Sequence, residues 1–153
     1  MADALQQLEQ WVEPLVAAME PVAQRVLLRE IAAGLRRSQA ERIQQQRNPD
    51  GSPYEPRKLQ PAKGPAASER ARIKAMFSKL RTTRFLKAST TATEAAVGFV
   101  GRAARIAQIH QDGLLDKPSP GARAIQYPAR ELLGLTDEEA ELVKDIVLKH
   151  LSA

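Results

Sequence analysis

The stretch TDEEAELVKDIVLKHL, residues 136–151, is the clearest helix in the sequence and the starting point for the fold. Thr136 and Glu139 form a capping box, in which each side chain accepts a hydrogen bond from a backbone N–H at the helix start. The acidic first turn and the basic last turn suit the helix dipole. The aliphatic residues recur at helical spacing and predict a buried stripe: Leu142, Val143, Ile146, Val147 and Leu151.

The N-terminal third, residues 1–47, predicts two helices. Apolar residues from Leu5 to Val16 recur at helical spacing after Asp3, a plausible cap. Pro14 falls inside this pattern and predicts a kink or a short first helix. Pro21 can open a second helix, which we expect to end near Arg47. Arginines crowd its polar side, where a solvated face is favoured over a phosphate-binding one: Arg25, Arg29, Arg36, Arg37 and Arg42.

The middle of the chain predicts a loop followed by mixed structure. Residues 48–67 hold five prolines and two glycines and predict a loop or flexible arm. A third helix is expected from Ser68 through Leu80, and the Thr- and Val-rich stretches 84–93 and 94–101 predict a β-hairpin. We expect a short helix from Arg102 to Gln111 that stops at Gly113, a brief strand at 125–127, and an α+β fold in one domain, residues 1–153. It comprises N-terminal helices (1–47), a proline-rich loop or arm (48–67) and a region with a helix, β-hairpin, helix and C-terminal helix (68–153).

Composition excludes several classes of function. The chain has no cysteine, which excludes disulfides and thiolate chemistry, and its two histidines lack partners at metal-ligand spacing. No catalytic residue, metal site or cofactor is therefore expected. His110 is the residue on which a small hydrolase would be centred, but no nucleophile lies near it in sequence, and a structural histidine is favoured.

The residue pattern also indicates where the protein is made. No apolar run reaches the length of a membrane helix, and no membrane partner is expected. The first 20 residues contain no Lys or Arg, so we expect neither a signal nor a transit peptide. The expectation is a soluble protein made in the cytoplasm.

The charge of the chain is unevenly distributed. Residues 1–24 contain four acidic residues and no Lys or Arg, residues 25–110 contain 18 basic and 6 acidic residues, and residues 111–153 contain 5 basic and 8 acidic residues. A basic middle between acidic ends can attract nucleic acid or the opposite end of a neighbouring copy. Head-to-tail contact of this kind suits a ring, because each subunit then presents two different faces.

Four short motifs stand in order between residues 48 and 135. They are a PDG loop at 49–51 with Tyr54, Pro56, Arg57 and Lys58 after it, the string MFSKLR at 76–81, the strand-to-helix element VGFVGRAARIAQIHQDG at 97–113, and YPARELLGL at 127–135. MFSKLR resembles the MF-x-KLR signature of the phage virion morphogenesis family, the tail completion proteins of temperate contractile-tailed phages, and the other three motifs are similar to elements that follow the same order in that family. The resemblance runs from about Ile43 into the C-terminal helix.

The resemblance implies a non-enzymatic virion protein of the tail and neck, which completes the tail and joins it to the head. It also implies a homo-oligomeric ring, often six-fold, with tail tube or sheath proteins and head–tail connector proteins as partners and passing contact with genomic DNA. The alternative is a basic nucleic-acid-binding protein. The candidate contact residues are Arg57, Lys58, Met76, Phe77, Lys79, Arg81, Arg84, Arg102, Arg105 and Arg130. We expect Pro128, Arg130 and Gly134 to shape the bend before the last helix.

Overall fold

The computed structural model describes residues 2–57 and 75–152. The described residues form four helices and two small antiparallel sheets, which confirms the predicted α+β fold. In chain order the elements are α1 (Ala2–Ala17), α2 (Pro21–Gln44), β1 (Leu86–Thr90), β2 (Ala95–Phe99), α3 (Arg102–Asp112), β3 (Leu115–Asp116), β4 (Ile125–Gln126) and α4 (Asp137–Leu151).

The two N-terminal helices follow the sequence pattern with two adjustments. α1 continues through Pro14, so the proline does not end the helix. Pro21 occupies the first turn of α2, where its missing N–H costs nothing because that group would have no partner within the helix. α2 ends at Gln44, three residues before the expected end. Gln46 has a left-handed backbone with φ 58°, which cannot continue a right-handed helix.

The predicted third helix is wrong over its described part. Residues 68–74 lie outside the described residues, and residues 76–80 form turns. Phe77 has φ 65°, a left-handed conformation that interrupts any right-handed helix. The apolar spacing of Met76, Phe77 and Leu80 reflects packing on the core from consecutive turns and not a helical stripe.

The hairpin is confirmed, with shorter strands than predicted. β1 pairs with β2 from Leu86 opposite Phe99 to Thr90 opposite Ala95. Thr91 N–H donates to the Glu94 carbonyl at 2.9 Å and closes the turn between the strands. Leu86 is fully buried and anchors the hairpin, whose strands pack on α2. An isolated hairpin has little stability, so this packing positions it.

The core consists of two clusters that share α2. The helical cluster contains the buried Leu8 of α1, Leu27 and Ile31 of α2, and Val143, Ile146 and Val147 of α4. Leu142 packs against this cluster while partly buried, and the prediction of a buried Leu151 is wrong, because this residue of the last turn is 43% exposed. The hairpin cluster is built on the other end of α2, from Ile43, and comprises Tyr54, Met76, Leu86, Ala107 and Leu132. α2 therefore joins the N- and C-terminal helices to the hairpin and α3.

A buried ion pair lies where these elements meet. Arg42 and Glu139 are 8% and 2% exposed, and Arg42 Nη1 lies 2.6 Å from Glu139 Oε1. Ser38 Oγ donates to the same carboxylate oxygen at 2.8 Å. Glu139 Oε2 accepts from the Thr136 N–H at 2.9 Å, and Thr136 Oγ1 accepts from the Glu139 N–H at 3.1 Å. The capping box predicted from the sequence is confirmed and belongs to this network.

The expected solvated arginine face of α2 is wrong for two of its five members. Arg42 is buried in the ion pair. The Arg36 side chain donates from Nε to the Leu86 carbonyl at 2.6 Å and from Nη2 to the Arg81 carbonyl at 3.1 Å. These acceptors lie far along the chain, and only the folded structure brings them to α2. The other three arginines are exposed.

Removing one partner of the ion pair should destabilise the protein strongly. We expect Arg42→Met to lower the free energy of unfolding by about 3–5 kcal/mol, because it leaves a buried carboxylate without its counter-ion. The double variant Arg42→Met/Glu139→Gln should recover part of this loss, since no charge then stays buried. Chemical denaturation of the three proteins measures both effects. A single variant as stable as the parent would contradict the role assigned to the pair.

Candidate functional site

The segment of residues 127–135 forms the centre of the candidate site. It contains no helix or strand, yet most of its backbone N–H groups find partners in sequence-distant elements. Arg130 N donates to the His110 carbonyl at the end of α3 at 2.7 Å, and Glu131 N to Asn48 Oδ1 at 2.9 Å. Buried backbone groups require such partners, so these contacts fix the path of the segment.

Glutamine side chains hold the second half of the segment. Gln111 Oε1 accepts from Leu132 N at 2.8 Å and from Leu133 N at 2.9 Å, and its Nε2 donates to the Leu133 carbonyl at 2.8 Å. Gln39 of α2 makes the same kind of two-way contact with Gly134, accepting from its N–H at 3.1 Å and donating to its carbonyl at 2.7 Å. The segment is therefore bound to α2 and α3 by side chains and not by a sheet.

Gly113 permits the close approach of α3 to the segment. It ends α3 with φ 63°, as expected for the predicted C-terminal glycine. A Cβ atom at this position would lie 2.9 Å from the Ala129 N atom and 3.1 Å from the Tyr127 carbonyl oxygen. A side chain here would push the segment away from the helix.

Arg130 connects the segment to the loop that follows α2. Its guanidinium donates from Nε to the Glu55 carbonyl at 2.7 Å and from Nη2 to the Pro56 carbonyl at 3.2 Å. Tyr54 from the same loop donates its hydroxyl to the Glu131 carbonyl at 3.1 Å. The loop motif and the 127–135 motif are therefore in contact, although more than 70 residues separate them in sequence.

Aromatic rings continue this contact across the site. The rings of Tyr54, Phe77, His110 and Tyr127 meet edge to face in that order, with centroid separations of 5.7, 4.8 and 5.1 Å. Such pairs add stability beyond the area that they bury. All four resembling motifs contribute one ring to the row, so the motifs converge in space as well as in order.

A cleft of about 930 Å³ opens beside this row. Its walls come from the 55–57 loop, the 76–80 turns, α3 and residues 125–130, and include apolar side chains such as Leu80, Ile106 and Ile125. Among the residues that the structure describes, three basic side chains line it, Arg57, Lys79 and Arg130, against the single carboxylate of Glu55. The cleft is consequently an apolar groove with a positive rim.

His110 lies in the wall of the cleft and experiences this positive charge. Burial of the ring lowers the pKa of His110, and the charges of Arg130 and Arg57 lower the pKa further. Its Nδ1 atom is buried and makes no hydrogen bond within residues 2–57 and 75–152. The ring packs between Phe77 and Tyr127, as a structural histidine does.

The contact residues proposed from the sequence fall into buried and accessible groups. Met76 is 9% exposed and Arg130 is 5% exposed, so both serve the interior and we do not carry them forward as contact residues. Phe77 and Arg81 are half-buried. Arg57 and Lys79 are exposed on the rim of the cleft. The structure thus brings two of the predicted residues together on an accessible surface.

The remaining candidates lie elsewhere. Arg84 is exposed and places its guanidinium 5.2 Å from the Phe85 ring centroid. Arg102 is exposed on α3, and Arg105 pairs with Asp116 at 2.6 Å. Lys58 lies outside the described residues. The sequence analysis missed Gln39 and the role of Gln111, since a glutamine on a helix gives no sign that distant backbone groups will meet it.

Two kinds of feature are absent from the part of the chain that the structure describes. No helix there has both the length and the apolar composition needed to cross a membrane. No group of three or more His, Asp or Glu side chains is arranged there to hold a metal ion.

Loss of the Gln111 amide should destabilise the fold. Gln111→Ala leaves the backbone groups of Leu132 and Leu133 without partners, and we expect the free energy of unfolding to fall by about 2–3 kcal/mol. Gln108→Ala, an exposed position on the same helix, is the matched control and should change it by less than about 0.5 kcal/mol. Equal effects of the two substitutions in a urea denaturation series would refute the anchoring role.

The lowered pKa of His110 should make the protein less stable in acid. The unfolded chain binds a proton at this residue at a higher pH than the folded chain, so this contribution to stability is complete above pH 6.5 and declines as pH falls from 6.5 toward the folded pKa. His110→Phe keeps a ring between Phe77 and Tyr127 and should lose less stability between pH 7 and pH 5. His150→Gln, which removes the other histidine, is the control and should still show the loss of stability between pH 7 and pH 5 that His110 causes. An NMR titration that places the pKa of His110 above 6.5 would contradict this assignment.

Comparison with known proteins identifies the family. The chain matches the model of the phage virion morphogenesis family over residues 3–152, which includes α1 and most of α2, where the sequence motifs did not reach. Tail completion protein S of Escherichia phage P2 is 38% identical over 139 residues, which are 90% of this chain and 90% of that protein. No solved structure matches the chain. The motifs, their convergence in the fold and these matches agree: the chain belongs to the phage virion morphogenesis family.

Proposed function

We propose that this protein is a structural component of a phage particle, which completes the tail and joins it to the head as a ring of copies at the top of the tail. The observation that carries the proposal is the similarity to tail completion protein S of phage P2, which extends over nine tenths of both chains. A match over 139 residues extends beyond the motifs, and the family model likewise matches residues 3–152.

The use of the motif residues supports a structural role. Gln111, Arg130 and Tyr54 bind backbone carbonyl or N–H groups of the chain itself. His110, the residue on which a hydrolase would be centred, is packed between aromatic rings. Side chains that fix a scaffold in this way serve assembly, where a rigid shape has to match the shape of a neighbour.

The accessible charges support contact with other proteins. Arg57, Lys79 and Arg102 are exposed, and the acidic residues Glu9 and Glu13 of α1 are exposed on a different element. Surfaces of opposite sign steer association and fix which faces meet. We assign the basic surface to contact with tail tube or sheath proteins, connector proteins or neighbouring copies, within the virion.

A complementation experiment tests this function. A phage lacking this gene should produce separate heads and tails in electron micrographs, and supplying the chain in trans should restore joined, infectious particles that contain it. His110→Phe should restore them as well, because no catalysis is required. Purified particles that lack the chain would contradict the proposal, and tight salt-sensitive DNA binding by a chain absent from particles would favour the nucleic-acid alternative.

A further inference from the structure

The cleft beside His110 combines exposed apolar walls with a basic rim, and these two features together favour one kind of occupant. Ile106 and Ile125 are 44% and 36% exposed on its walls, so apolar surface there is open to solvent. Arg57 and Lys79 are exposed on the rim, and neither forms an ion pair within the described residues. An occupant that fits has apolar side chains flanked by carboxylates.

α1 has the complementary chemistry. It contains Asp3, Glu9 and Glu13 and no Lys or Arg. Leu5 is 48% exposed, and Glu9 follows it by one helical turn on the same side of the helix. Glu9 and Glu13 are exposed and make no ion pair within residues 2–57 and 75–152.

α1 of one chain is held away from the cleft of the same chain. Leu8 packs in the helical cluster with residues of α2 and α4. The cleft instead adjoins the hairpin cluster, to which Met76 and Ala107 belong. The contact between the two surfaces is therefore one between different copies.

We infer that the cleft binds α1 of a second copy, with Leu5 of that copy on the apolar walls and Glu9 at the basic rim. This inference rests on the proposed ring and names the contact that builds it. The two surfaces are different patches of one chain, so the contact is head-to-tail, and its repetition closes a ring when the rotation between neighbours divides a full turn. The contact does not disturb the packing of α1 within its own chain, because the residues that dock are already exposed in the single chain.

The apolar walls favour a protein segment over nucleic acid as the occupant. Phosphate binding needs positive charge at the backbone, and single strands also need exposed aromatic faces for stacking. In the cleft the rings of Phe77, His110 and Tyr127 meet one another edge to face, and the open surface is aliphatic. DNA in the cleft is one outcome that the experiment below distinguishes.

Cross-linking of the full chain tests the contact directly. The chain has no cysteine, so introduced cysteines are the sole sites for a short bismaleimide. Leu5→Cys combined with Ile106→Cys should give a ladder of covalent oligomers, because each copy links to two neighbours. Leu5→Cys combined with Leu148→Cys is the matched control: Leu148 is 51% exposed but lies on α4, outside the cleft, and should give no ladder.

A charge swap supplies the second test. Glu9→Lys and Lys79→Glu should each weaken self-association about fivefold, and the double variant should restore it, since the pair is re-formed with exchanged signs. Glu41→Lys makes the same change at an exposed residue of α2 and should have no effect. Sedimentation velocity over a concentration series measures the association, and far-UV circular dichroism verifies that each variant is folded.

The outcomes separate this contact from the proposed function. A ladder with swap rescue supports the contact. A dimer without higher oligomers, a ladder in the Leu148→Cys control, or a chain that stays monomeric overturns it, as does protection of Ile106→Cys by DNA. If the chain restores joined particles but shows neither ladder nor rescue, the contact is wrong and the function stands. If the chain is absent from particles, the proposed function fails.

Discussion

The buried pair of Arg42 and Glu139 is the interaction on which the arrangement of this protein depends. Glu139 caps α4, and Arg42 reaches from α2 to the Leu132 carbonyl at 3.2 Å, so one network orients two helices and the 127–135 segment. Burying two charges is unfavourable unless hydrogen bonds satisfy them. Ser38, Gln39 and the capping box supply such bonds, while Arg42 Nε is buried without a partner among the described residues. These bonds hold α4 in its position along α2.

The 127–135 segment extends this constraint to the cleft. Because its backbone groups bind side chains of α2, α3 and the 48–54 loop, its position follows from theirs. Its first half, with Tyr127 and Arg130, then forms a wall of the cleft. A sheet would fix such a segment through neighbouring strands, whereas here Gln39, Asn48 and Gln111 do so from three separate elements. This explains why short motifs scattered along the sequence meet at one place.

The sequence predicted those features whose cause is local. The capping box of α4, the Gly113 end of α3 and the hairpin depend on residues a few positions apart, and all three were confirmed. Prediction failed at 76–80, where packing on the core holds Phe77 in a left-handed conformation that its neighbours in sequence do not specify. It failed likewise for Arg36 and for the part that Gln39 plays at the site, because their partners lie at least 45 residues away.

The acidic surface of α1 and the basic cleft belong to different core clusters, and this gives α2 a further role in the proposed ring. The acidic α1 belongs to the helical cluster and the basic cleft to the hairpin cluster, and α2 passes through both. Its 24 residues make a rod of roughly 36 Å at 1.5 Å per residue. A ring closes only when every copy is rotated by the same angle relative to its neighbour, because deviations from that angle add up around the ring. A continuous helix, joined to α4 by a buried ion pair, keeps the two surfaces in a constant relation, which a flexible linker would not.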